Sequence, residues 1–192
     1  GTTSGLARLE GGRVRAWGTA DGLRGAAIHS LQLGPDGVLW IGTNGGGARW
    51  AGGKLAPWGR AEGLPPAQVG PILVARDGAV WVGTYGAGLI RLRDGQTTRF
   101  GEREGLLGQT VLALHQDARG TLWVGSSDGG LARLAGERFL SFTTRDGLHD
   151  DGVFGILEDA QGQLWLPGNH GISRVSPADV ERFTRGELPA IP

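Results

Sequence analysis

Apolar and β-branched residues come in short runs, separated by turn-forming residues, along the whole chain. The cleanest copy is VLALHQ, TLWVGS, GLARLA and RFLSFT, between residues 111 and 143. Runs of this length and composition, bounded by Gly and Asp, predict four strands. The links between them are too short to hold a helix, so neighbouring strands must pair antiparallel as a meander. Between the first and second strands stand GPDG, ARDG, DARG and DAQG. Asp can bond the local backbone there and Gly can take a positive φ, the chemistry of a tight hairpin.

The pattern returns at a fixed period. Trp40, Trp81, Trp123 and Trp165 stand 41, 42 and 42 residues apart. The pairs Gly22-Leu23, Gly63-Leu64, Gly105-Leu106 and Gly147-Leu148 keep that spacing, as do Arg8, Arg49, Arg91, Arg133 and Arg174. A further column holds Trp17, Trp58, Phe100, Phe142 and Phe183. Four-stranded antiparallel units at this period predict an all-β chain built from β-propeller blades. A β-sandwich would explain the strands but not the same Trp in every unit. That Trp lies near the middle of the second strand, where it can pack between adjacent blades. Burying roughly 150–250 Å² at about 25 cal/mol per Å², it contributes at most about 4–6 kcal/mol.

The opening GTTSGLARLEGGRVRAWGTADGL aligns with GTNGGGARWAGGKLAPWGRAEGL of the next unit. Residues 1–23 therefore supply a half blade, strands three and four only. Blades follow at about 24–64, 65–106, 107–148 and 149–189, so about four and a half blades make one propeller segment over residues 1–192. The tail carries two signals. Phe183 is in phase with the fourth-strand aromatics, whereas SPADVERF offers Ser176 as N-cap, Pro177 at the first helical position and an acid in the first turn. The second set favours a short helix.

Composition narrows the function classes. Gly (38) and Pro (9) approach the level of low-complexity chains, but here the glycines are periodic. Lys+Arg and Asp+Glu both total 19, which leaves no electrostatic case for nucleic acid or an anionic membrane as main partner. Without Cys there is neither a disulfide framework nor a thiolate metal site. No apolar run reaches membrane-span length, so a membrane is expected only through flanking segments outside these residues.

DARGTLWVGSSDGGLARL and PDGVLWIGTNGGGARW resemble the two-component regulator propeller repeat, whose pattern is Gly, any residue, Leu-Trp-Ile-Gly-Thr, a short loop, then Gly-Leu and an Arg. The resemblance covers nearly the whole chain. It implies a seven-bladed ring in the periplasmic or extracellular sensor region of a membrane receptor, working as a homodimer, with a histidine kinase, diguanylate cyclase or DNA-binding output elsewhere. In two respects the chain departs from the family. Asn is common in the loop leading into the first strand, but Ala26, Ala67, Gln109 and Asp151 stand there, and unit five reads LWLPGNHG.

In an antiparallel blade, the loop before strand one and the loop after strand two lie at the same end. Asn44, Tyr85, Ser127, Asp128, Asn169 and His170 belong to one loop set, and Gln68, Gln109, Thr110, His149, Asp150 and Asp151 to the other. Loops held by a rigid scaffold are where binding residues concentrate. The ligand-binding candidates are Asn44, Tyr85, Ser127, Asp128, His149, Asp150, Asp151, Asn169 and His170. Tyr85, the only Tyr, can stack on a sugar, and the amides and carboxylates can hydrogen-bond it. HDD at His149–Asp151 has residue types used for divalent metal or acid/base work, yet no second copy supplies further ligands. One carboxylate per hairpin (Asp36, Asp77, Asp117, Asp159) is far from a calcium site. His29 and His115 fall within first strands and are expected to be packed or to line a channel. The Arg column, present in every unit, is expected to meet a carboxylate or carbonyl on a neighbouring strand. GTNGGG lacks the Lys and the following helix of a phosphate loop.

Two functions from different classes fit. The first is a non-catalytic ligand-sensing or interaction propeller that takes a small molecule such as a carbohydrate fragment. No metal or cofactor is expected for it. The second is a propeller lyase or hydrolase resembling the streptogramin lyases, with His149 or His170 as base.

Overall fold

The computed structural model describes residues 1–59 and 63–192; residues 60–62, inside the blade placed at 24–64, lie outside the described residues. The chain divides into two units, Gly1–Arg99 and Phe100–Pro192. In the first, β1 (Leu6–Glu10) and β2 (Arg13–Trp17) form a two-stranded hairpin that pairs Leu6 with Trp17. Two four-stranded sheets follow, with strands in chain order. One holds β3 (Ile28–Leu33), β4 (Leu39–Thr43), β5 (Gly46–Ala51) and β6 (Lys54–Trp58). The other holds β7 (Gln68–Val74), β8 (Val80–Tyr85), β9 (Leu89–Arg93) and β10 (Gln96–Phe100), whose last residue is the first of the second unit.

The second unit has one four-stranded sheet, β11 (Val111–Gln116), β12 (Leu122–Ser126), β13 (Leu131–Ala135) and β14 (Arg138–Phe142). A three-stranded sheet follows, β15 (Leu157–Glu158), β16 (Leu164–Gly168) and β17 (Gly171–Val175), and then α1 (Pro177–Thr184). The last unit is therefore not a four-stranded blade, and its first strand has only two residues. Pro177 cannot donate to a strand ladder, and the Ser176 hydroxyl accepts from Asp179 N, so the chain turns into helix where earlier units make strand four. Phe183 keeps an aromatic role from the helix, its ring 6.2 Å from that of Phe142.

Trp40 and Trp123 pack against the sheet that follows their own. Trp40 clusters with Val69 and Ile72 of the following sheet, and Trp123 with Val153 and Ile156 of the following unit. Trp40, Trp81 and Trp123 are 6, 4 and 1% exposed, but Trp165 is 39% exposed and shares an open face with Phe154, Leu157 and Ile172.

Three of the five column arginines have a partner that the sequence does not suggest. In-register pairing sets Arg49 opposite Trp40 and Arg174 opposite Trp165, and each guanidinium lies over the indole, 5.7 and 6.0 Å from its centroid. Arg91 sits likewise over Trp81 at 5.6 Å. The repeated contact is thus cation–π on the adjacent strand, because residues opposite each other in an antiparallel pair share a face. Arg8 and Arg133 meet carboxylates, the kind of partner expected from the sequence: Arg8 pairs with Glu10 of its own strand at 2.6 Å and Arg133 reaches Glu181 of α1 at 3.8 Å.

The four hairpin acids are of two kinds. Asp36 and Asp77 bond the backbone two residues on, at Val38 N and Ala79 N, each 3.1 Å away. Asp117 and Asp159 stand two residues earlier relative to the Trp, which lets the side chain reach the indole. Trp123 Nε1 donates to Asp117 Oδ2 at 2.9 Å and Trp165 Nε1 to Asp159 Oδ2 at 2.8 Å.

Candidate functional site

Two recurring devices shape the loop end of each sheet. The last residue but one or the last of strand two is a buried hydroxyl, Thr43, Thr84 or Ser126, that donates to a loop carbonyl: Thr43 to Gly46 O at 2.8 Å and Thr84 to Gly88 O at 2.7 Å. Among the described residues, three segments between blades are 3₁₀ turns, Thr19–Asp21, Glu102–Glu104 and Thr144–Asp146, each closed by its own acid. Asp21, Glu104 and Asp146 each accept from the backbone N–H three residues before them, at 2.8 Å. This turn explains the Gly-Leu column: Gly22, Gly105 and Gly147 end it with positive φ and the next Leu is buried. The acid before Gly-Leu also recurs in the sequence, and only its bond to the turn's first N–H gives it meaning.

In the first unit Asn44 and Tyr85 are exposed at the loop end. Asn44 Oδ1 accepts from Ala27 N at 3.3 Å, so part of its polar capacity ties its own two loops together. The Tyr85 ring meets His29 edge-on, with centroids 5.5 Å apart. His29 sits in a β-bulge at the start of β3, and its Nδ1 lies 3.2 Å from Val69 O. The bulge aims the imidazole at the ring of Tyr85.

In the second unit Ser127 Oγ donates to Asp128 Oδ1 at 3.0 Å, both at the tip of the β12–β13 loop. Asp151 accepts from Thr144 N and Thr144 Oγ1 and is directed at the 3₁₀ turn. Asp150 holds the β16–β17 loop. It accepts from Gly152 N at 2.8 Å, His170 N at 2.9 Å, His170 Nδ1 at 3.0 Å and Asn169 Nδ2 at 3.3 Å. The Gly152 N–H first, then the His170 and Asn169 groups, hold its carboxyl well below the usual carboxylate range.

Asp150 and Gly168 are a reciprocal exchange. Gly168 stands where Thr43, Thr84 and Ser126 carry the loop-tying hydroxyl, and a Cβ there would lie 2.9 Å from Asp150 Oδ2. Conversely, the position of Asp150 is Gly108 in the preceding unit, where a Cβ would lie 2.5 Å from Ser126 Oγ. The carboxylate thus replaces the missing hydroxyl, and PGNH is tied down from the opposite loop.

An ionised carboxylate only accepts, so the contact requires a proton on His170 Nδ1, and in the neutral ring Nε2 is then an acceptor. His149 Nε2 lies 3.4 Å from the carbonyl oxygen of His170, a contact that requires a proton on Nε2, and in the neutral ring Nδ1 is then an acceptor. The two rings are perpendicular with centroids 6.3 Å apart, and both side chains are exposed. Of the candidates in this unit, the structure therefore groups His149, Asp150, Asn169 and His170, with Asp150 serving as the tie. Ser127 and Asp128 form a separate pair. His115 is bonded away from this end, its Nε2 3.1 Å from Glu158 Oε2. Among the described residues no three His, Cys, Asp or Glu side chains are arranged to hold a metal ion.

The two-component regulator propeller family profile matches residues 22–45 and 105–128. No curated protein matches the chain. Among solved structures it is similar to the extracellular domain of BT4673 from B. thetaiotaomicron, assigned to the hybrid two-component systems. The TM-score is 0.75 at 22% identity, over 91% of this chain and 25% of that one. It is also similar to a catalytically inactive variant of virginiamycin B lyase from Staphylococcus aureus with quinupristin. There the TM-score is 0.69 at 16% identity, over 92% of this chain and 61% of that one. A third is PorZ, a surface component of the type-IX secretion system of Porphyromonas gingivalis, with a TM-score of 0.66 at 15% identity, over 90% of this chain and 30% of that one. These likenesses establish the β-propeller fold. No helix among the described residues is long and apolar enough to cross a membrane.

Proposed function

We propose that this chain, which carries two-component regulator propeller repeats, is part of the extracytoplasmic sensor region of a signalling receptor and binds a small neutral ligand, such as a carbohydrate fragment, through its blade loops. The observation that carries the reading is a pair of exposed imidazoles: His170, fixed by the Asp150 carboxylate in a loop that departs from the repeat, and His149, whose Nε2 lies 3.4 Å from the His170 carbonyl oxygen. A repeated residue serves the scaffold, whereas a loop that abandons the repeat and is then rigidly tied is built for something else. The acceptor nitrogens of the two rings suit ligand hydroxyl groups, and the ring faces suit a flat sugar surface. In the first unit, Tyr85 held edge-on by His29 offers a similar aromatic surface. The likeness to the extracellular domain of BT4673 supports the location and the receptor class. A ligand signals only if it binds two arrangements of the receptor unequally, and a homodimer would supply those arrangements. Titration of the chain with a panel of neutral oligosaccharides, followed by the His149 and His170 imidazole resonances, tests the reading. Saturable shifts in both rings are expected; an absence of shifts across the panel contradicts it.

A second reading has its own observation. The His170 Nδ1–Asp150 Oδ2 contact of 3.0 Å is the arrangement of a base held by a carboxylate, and the fold is similar to that of virginiamycin B lyase. It makes the chain a propeller lyase. Incubation with quinupristin decides between the two, because a lyase yields product detectable by mass and a sensor does not.

A further inference from the structure

The sheets β3–β6 and β7–β10 both have their four strands, and apart from Phe100 both lie in the first unit. At their loop end three side chains come together. Gln68 opens β7 and pairs in register with Tyr85, the last residue of β8. Residues opposite each other in an antiparallel pair stand side by side on one face, so the Gln68 amide flanks the Tyr85 ring. From the neighbouring sheet, the bulge at the start of β3 sends His29 to the same place. Its ring stands at 80° to that of Tyr85, and its Nδ1 lies 3.2 Å from the carbonyl oxygen of Val69, the residue after Gln68. That carbonyl only accepts, so the contact requires a proton on Nδ1, and in the neutral ring Nε2 is then an acceptor. His29 and Gln68 are exposed, and Tyr85 is 37% exposed. Among the described residues no hydrogen bond occupies the Gln68 side-chain amide or Tyr85 Oη.

None of the three belongs to the repeat. At the same distance from the column Trp, the other units carry Ala27, Thr110 and Gly152 in place of Gln68. They carry Asn44, Ser127 and Asn169 in place of Tyr85, and Gly70, Leu112 and Phe154 in place of His29. An imidazole, a phenol and a primary amide therefore meet at this border of two sheets and at no other in the chain.

We propose that this corner is a second carbohydrate site, separate from the histidine loop, that takes one pyranose ring with adjacent free hydroxyl groups. The ligand class rests on the function proposed above, and the place rests on these three residues. The C–H face of the sugar packs on the Tyr85 ring. Adjacent hydroxyls at its edge meet the Gln68 amide, one donating to Oε1 and the other accepting from Nε2, and His29 Nε2 accepts from a further hydroxyl. An apolar aromatic ligand would stack on Tyr85 as well but would leave the amide without a partner, so Gln68 is the residue that selects the sugar.

Tyr85 is the only Tyr of the chain, so selective tyrosine labelling gives one set of ring resonances that reads this corner alone. Titration with methyl β-D-glucopyranoside is expected to shift them saturably. The fully O-methylated glucoside keeps the ring but cannot donate, and is expected to bind about tenfold more weakly. Gln68→Ala and His29→Leu borrow residues that other units already carry at these places, Ala27 and Leu112, and so keep the fold. Gln68→Ala is expected to weaken binding of the glucoside about tenfold, and His29→Leu to weaken it less. Unmoved Tyr85 resonances, or equal affinity in Gln68→Ala and the parent, overturns the proposal. The His149 and His170 rings in the same samples read the other loop, so the two readings fail separately. If those rings shift while Tyr85 stays still, the proposed function stands and this site falls; if Tyr85 shifts alone, this site stands without the histidine loop.

Discussion

His170 gives Asp150 two hydrogen bonds, from its backbone N–H at 2.9 Å and from ring Nδ1 at 3.0 Å, both to Oδ2. One carboxylate oxygen thereby fixes both the path of the β16–β17 loop and the rotamer and tautomer of the imidazole above it. Replacing Asp150 with Ala is expected to free the loop. Amide exchange at Asn169 and His170 should rise by about tenfold or more while that of β12 and β13 stays unchanged, as measured by NMR.

The acid side of the stability curve follows from two carboxylates. Asp150 is held low by the Gly152 N–H first. Asp159 is lowered first by the Trp165 indole N–H, then by the Gln163 and Gln161 N–H groups, with the charge of Arg174 adding to them. A group whose folded pKa is depressed contributes stability that is present above its unfolded pKa, about 3.9 for Asp, and lost as pH falls towards the folded value. Denaturant unfolding should therefore show full stability above about pH 5 and a decline below about pH 4. Asp150→Asn with Asp159→Asn should flatten that decline.

Asp117 gives a prediction inside the core. Its Oδ2 is the partner of the Trp123 indole, which is 1% exposed. Asp117→Ala leaves the buried N–H unsatisfied and should cost about 1–3 kcal/mol in denaturant unfolding. Trp123→Ala should cost about 3–5 kcal/mol.

The helix start is a smaller contribution. Ser176→Ala removes the hydroxyl that caps α1 at Asp179 N and should cost about 0.5–1 kcal/mol, seen as a fall in the melting temperature.

The strands, their order and the Trp column were legible because they repeat, and a period common to several columns needs no tertiary information. The helix at 177–184 was legible from Ser176 and Pro177, whose preferences act locally. The partner of the Arg column was not, since spacing along the chain does not say that Trp40 and Arg49 face each other across a strand pair. Nor was the division of the hairpin acids. GPDG and DARG look alike as turns, and only the two-residue offset relative to the Trp decides whether the carboxylate reaches the indole. The candidate loops were placed correctly at the strand ends, but the roles within them were not separable. Asp150 and His170 are 20 residues apart, and the exchange of Gly108 and Ser126 for Asp150 and Gly168 becomes visible only when the space around Gly168 is known.

The most direct test of the proposed function is the affinity of the chain for a neutral oligosaccharide, compared by calorimetric titration with that of a His149→Ala/His170→Ala variant. Both rings are exposed and Asp150 keeps its bonds to the Gly152 and His170 backbone N–H groups, so the variant should stay folded and melt within a few degrees of the parent. The parent is expected to bind saturably and the variant about tenfold more weakly or worse. Equal affinity in the two proteins, or binding in neither, would contradict the account.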